Sequence, residues 1–158
     1  MSRVEERAPA TFTDTVDIQG ALTYKKKVLT KTANYTCKKD DSGAILSVDP
    51  ADTTLIQLPA AASNAGWNIT ITVSEADGGT MDQKVNIGTL AGEFFDGVIW
   101  CSDGGGDSKA NGSSNDFIKI STDSQSGLRF DIHSDGTRMI CNGFAVDASD
   151  TMFADAAG

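Results

Sequence analysis

Histidine, serine and aspartate are the residue set of a nucleophilic hydrolase, and here the three types are consecutive at His133, Ser134 and Asp135. The histidine is the only one in the chain. A working triad needs a nucleophile, a base and an orienting acid that converge from separate parts of the chain, each within hydrogen-bond reach of the next. Adjacent residues in a tight segment project in different directions and cannot meet this way. No GxSxG elbow or oxyanion-loop signature accompanies them. The triplet reads as a turn.

Residues 102–116, SDGGGDSKANGSSND, are the second candidate. A phosphate cradle ends in Gly-Lys-Ser/Thr at the mouth of a helix. Here Lys109 is followed by Ala110 and Asn111, and no helical pattern follows. Asp103, Asp107 and Asp116 offer oxygens to calcium, but their spacing departs from the D-x-[DN]-x-[DN]-G loop. A surface loop is the simpler reading. Glycoside hydrolysis needs two carboxylates at a set spatial separation. Glutamate is scarce (Glu5, Glu6, Glu75 and Glu93), two of the four fall in the first residues, and few aromatics remain for sugar stacking. The sequence therefore predicts no catalytic residue, no cofactor and no metal.

Charge is the remaining chemistry. The 158 residues carry a net charge of −9, which argues against nucleic acid or an anionic membrane as partner. Residues 1–40 nonetheless hold eight bases and five acids, a net of +3, which leaves −12 on the remaining 118. Such asymmetry points to a docking end and a solvent-facing end. Arg3, Arg7, Lys25, Lys26 and Lys27 are the candidate contacts to an acidic partner surface; on a strand, Lys25 and Lys27 would share one face and Lys26 the other. An edge strand kept from pairing by its lysines is the alternative role for that cluster.

Short runs bounded by Gly, Asn, Asp and Ser must position these residues. NITITV alternates through Ile69, Ile71 and Val73, the pattern of a half-buried strand. LRFDIH alternates through Leu128, Phe130 and Ile132, and SDG then turns the chain into TRMICNGFAV, a hairpin signal. ALTYKKKVLT, ANYTCKK, AILSVD, TTLIQL, KVNIGTL, GVIWC and DFIKIS supply further strands, and no amphipathic helix is evident. Between TTLIQL and NITITV, Pro59 ends a strand because it lacks the N–H a ladder needs, and Trp67 caps the core. The expected fold is all-β, an antiparallel β-sandwich or jelly-roll-like single domain over 15–146. An extended N-terminal arm (1–14) precedes it and an acidic tail (147–158) follows. Cys37, Cys101 and Cys141 are widely spaced without CxxC and read as reduced thiols. The first residues lack the apolar stretch of a signal peptide, and no run of 18 apolar residues marks a membrane span.

Residues 16–73 resemble virion proteins of tailed bacteriophages, most closely capsid decoration (cement) proteins. The shared pattern runs from TANYT into DSG, a short strand, a Thr-rich segment, LPAAA, then GW and an alternating strand. NDFIKIS and SDGTRMICNGFAV continue it more loosely. Where such proteins carry Val or Ile after NYT, this chain has Cys37 and two lysines. The resemblance implies a non-enzymatic homotrimer, assembled in the host cytoplasm, that binds the major capsid protein and decorates the outer capsid surface of the virion. The alternative is a tail-fibre or receptor-binding tip, but fibres usually show repeats or β-helical shafts and none is evident in the sequence. A carbohydrate-active β-sandwich enzyme is the rival from another class.

Overall fold

Inward-facing residues at every second position recur along the chain, and the structure stacks the resulting strands into two facing sheets. The computed structural model describes residues 26–75, 80–102, 107–111, 114–148 and 151–155. Twelve strands lie among them: β1 (Val28–Lys31), β2 (Tyr35–Thr36), β3 (Ile45–Val48), β4 (Thr54–Gln57), β5 (Asn68–Val73), β6 (Val85–Gly88), β7 (Phe95–Cys101), β8 (Ser108–Asn111), β9 (Phe117–Ile120), β10 (Leu128–Ser134), β11 (Met139–Ala145) and β12 (Thr151–Ala154). One sheet has the order β1-β3-β5-β10-β11-β7-β8 and the other β12-β9-β6-β4-β2. The arm at 1–14 lies outside the described residues.

The all-β sandwich expected from the sequence is present, but its sheets are mixed rather than antiparallel throughout. β1, β3 and β5 run parallel to one another in the first sheet, and β2, β4 and β6 do the same in the second. The chain thus winds as three flattened coils, each laying one strand in either sheet. Parallel neighbours need a long crossover, and here the crossover is a strand of the opposite sheet. Most of the other pairings are antiparallel: β7 on β8, β9 on β6, β10 on β5, and the expected β10–β11 hairpin with Ser134 opposite Met139. β7 enters beside β11, parallel to it, with Gly97 opposite Cys141. A coil therefore leads into two hairpins, β7–β8 and β10–β11, in the first sheet, with β9 and β12 paired in the second.

Between the sheets lie Leu46, Val48, Ile56, Ile71, Ile87, Phe95, Ile99, Ile118, Leu128 and Phe130, all buried. Fully burying each such side chain contributes roughly 1.5–3 kcal/mol. Residues 147–158, expected as a tail, instead contribute β12, antiparallel to β9. Phe153 of that strand packs against Phe95 with ring centroids 5.7 Å apart.

Candidate functional site

Of the five predicted docking residues, Arg3, Arg7 and Lys25 lie outside the described residues. Lys26 and Lys27 are exposed and lead into β1, where alternation sends them to opposite sides. Lys27 is bonded within the chain, with its side chain still 53% exposed. Its Nζ lies 2.9 Å from Asp41 Oδ1, while Tyr35 OH donates to Asp41 Oδ2 at 2.7 Å and the Lys38 N–H donates to it at 2.8 Å. Lys26 shares the outward phase of Val28 and contributes positive charge near Asp131.

Asp41 is buried, and burial alone would raise its pKa. The bonds from Tyr35, Lys27 and the Lys38 backbone outweigh that and hold it at about 2. The same hydrogen bond, with burial, pushes the Tyr35 hydroxyl up to about 12. Because the folded chain favours ionised Asp41, its contribution is fully present above the ordinary aspartate pKa near 4 and disappears as pH falls from about 4 to 2. We expect about 2 kcal/mol of stability to be lost over that interval. Urea midpoints measured at pH 6 and pH 2 check this, and Asp41→Asn should flatten the slope.

The His-Ser-Asp triplet is not wholly the turn expected: His133 and Ser134 end β10, only Asp135 opens the turn, and the side chains diverge. His133 points to solvent from β10. Ser134 is buried, donates to the Ala61 carbonyl at 3.0 Å and accepts from the Gly136 N–H at 3.1 Å. Asp135 Oδ1 accepts from the N–H groups of Thr137 and Arg138, which hold its pKa below the usual range. Burial pushes the Cys37 thiol up to about 12 and raises that of Cys141, so neither is poised as a thiolate.

Both described glutamates bond the backbone. Both Glu93 oxygens accept from the Ala61 N–H, and Glu75 accepts from the Asp82 N–H. Within 102–116, Asp103 is outside the described residues, Asp107 accepts from the Cys101 N–H, and the Asp116 carbonyl accepts from Thr89. Among the described residues no three His, Cys, Asp or Glu side chains gather as a metal site. An open cleft of about 290 Å³ beside Trp67 is lined by Lys39, Ser42, Ser63, Asn64, Ala65 and Gly66. Its one ionisable group is Lys39, so it holds no acid–base pair.

Two surfaces remain. The first is the rim at β1, the terminal strand of its sheet, where Val28 is 62% exposed. The second is the outer face of the seven-stranded sheet near its other end. Trp100 on β7 and Phe144 on β11 are register partners, 49% and 57% exposed. The sequence offered an edge strand at the lysine cluster that leads into β1, but the aromatic pair was passed over; its signal was a large aromatic at the outward phase of two strand runs.

Comparison with protein-family models, with curated proteins and with solved structures finds no match. The functional reading rests on these surfaces and on the sequence resemblance.

Proposed function

We propose that the chain is a non-enzymatic structural protein of a tailed-phage virion, a homotrimer that decorates the capsid by docking on the major capsid protein. One observation carries the reading: the base-rich end of an otherwise acidic chain enters the fold at β1, the open rim of the seven-stranded sheet. Among the described residues no strand covers its outer side. A free strand edge can accept an extended segment from a partner through main-chain hydrogen bonds. Exposed Val28 and Lys26 supply apolar and cationic contacts beside it. Lys27, half exposed, stays in the docking set while its Nζ also holds Asp41.

Phage heads assembled without this chain test the proposal. Added protein should co-sediment with them saturably, at hundreds of copies per particle. Removing residues 1–14, or replacing Lys26 by Glu, should lower occupancy several-fold. Undiminished occupancy in both variants would remove the docking role of this end.

A tail-fibre or receptor-binding tip is the second reading, and the three-coil winding of β1 to β6 favours it, since stacked parallel coils are how β-helical shafts are built. Copy number separates the two: a few to a few dozen per virion means tail.

A further inference from the structure

The outer face of the seven-stranded sheet is ordered in transverse rows fixed by strand register. One row runs Thr72, Arg129, Phe144, Trp100 across β5, β10, β11 and β7. The next runs Thr70, Asp131, Asn142, Val98 on the same strands. Arg129 and Asp131 are locked together, with Nε on Oδ2 and Nη2 on Oδ1, each at 3.1 Å. Thr70 Oγ1 donates to Asp131 at 2.7 Å. Two exposed aromatic side chains on adjacent strands therefore stand beside a fixed array of donors and acceptors.

We propose that this row is a carbohydrate platform: Trp100 and Phe144 stack on the apolar faces of a neutral hexopyranose chain, and Arg129, Asp131 and Asn142 hydrogen-bond its hydroxyls. Aromatic faces carry partial negative charge and attract the slightly positive C–H groups of a sugar face. Strands about 4.8 Å apart set the two side chains at a spacing comparable to one sugar ring. The guanidinium and carboxylate lie side by side without net charge, so they offer vicinal hydroxyls both a donor and an acceptor and select no anion.

A second copy or another protein fits the same patch less well. Stable protein interfaces bury about 800 Å² on each side around a core depleted in charge. Here the apolar part is two aromatics with Val98, and an ion pair abuts it. Desolvating that pair under a protein costs several kcal/mol, whereas sugar hydroxyls replace its waters one for one. The aromatic pair also lies clear of the proposed docking rim. β7 is five strand spacings from β1, roughly 24 Å across the sheet, so a chain anchored at β1 still presents it. This inference stands whether the anchor is a capsid or a tail.

Calorimetric titration of the full-length protein with cellohexaose, mannohexaose, β-1,4-galactohexaose and chitohexaose tests it. At least one should bind saturably, and Trp100→Ala and Phe144→Ala should each weaken binding about tenfold, or about 1.4 kcal/mol. Val28→Ser on β1, an uncharged change at an exposed rim position, should leave it unchanged, so a failed docking reading and a failed platform are told apart. Tryptophan emission gives an independent signal, because Trp67 is 3% exposed and Trp100 is open to the ligand. No heat from any of the four sugars, or undiminished binding by both aromatic variants, would overturn the proposal. So would an oligomeric wild type that the double variant converts to monomer, which makes the row a subunit interface.

Discussion

Replacing Gly97 by alanine is expected to lower stability by about 3–5 kcal/mol, with a fall in Tm of roughly 10 °C. Gly97 has φ of 137°, a conformation that residues with a Cβ rarely adopt. A Cβ built there would sit 1.9 Å from the Cys141 carbonyl oxygen, which is main chain and cannot rotate away. β7 must therefore move, and with it the parallel pairing that places Phe95 opposite Met139 and Trp100 opposite Phe144. Gly66→Ala is the control. Gly66 also has positive φ, 81°, yet a Cβ there meets nothing within 4 Å, so only the backbone term of about 1 kcal/mol remains. The difference between the two melts isolates the collision. If Gly97→Ala costs no more than Gly66→Ala, β7 does not pass β11 as described. The test also bears on function, because the same ladder sets the aromatic row.

Some of this architecture is legible in the residues and some is not, for a definite physical reason. A two-residue period reports which side of a strand is buried, and it did so for Ile69, Ile71 and Val73 and for Leu128, Phe130 and Ile132. The same period belongs to parallel and antiparallel strands alike. Neighbour direction is written in the connections, and only the tight SDG turn between β10 and β11 is short enough to force it. The longer segments from β1 to β6 could cross between sheets as easily as fold back, so the coil was hidden. β12 escaped because Thr151 and Phe153 are its only two inward residues, set among small and acidic ones. Lys27 read as part of a docking cluster because its partner, Asp41, lies 14 residues further on across another strand. The basic end was visible; the bond from Lys27 to Asp41 was not. Trp100 and Phe144 stand on runs that each read as a strand, and what makes them a pair is the register between β7 and β11. Register is a tertiary property.

Trp67→Ala should cost about 3–5 kcal/mol, the range for truncating a buried aromatic whose site cannot collapse. Trp67 is 3% exposed and leads into β5, the strand on which the parallel coils meet the antiparallel hairpin. Its indole Nε1 donates to the Lys38 carbonyl at 3.1 Å, just beyond β2, and its own carbonyl accepts from the Ser134 N–H at 2.8 Å, at the end of β10. One residue thus ties the second coil strand to the hairpin. Trp67→Phe keeps most of the buried ring and loses the indole bond, so it should cost less, about 1–2 kcal/mol. Trp100→Ala, at an exposed position, should stay within about 0.5 kcal/mol. Urea unfolding followed by far-UV circular dichroism measures all three. If the coil and the β10–β11 hairpin hold together through Trp67, its alanine variant should also broaden the transition, with a lower apparent m-value, as the halves begin to open separately. A shift under about 1.5 kcal/mol with an unchanged m-value would mean that the continuous β3–β5–β10 ladder couples the halves without it. That distinction matters for the proposed anchoring at β1 and the proposed ligand near β7, because a load applied at one rim reaches the other only through a body that unfolds as one unit.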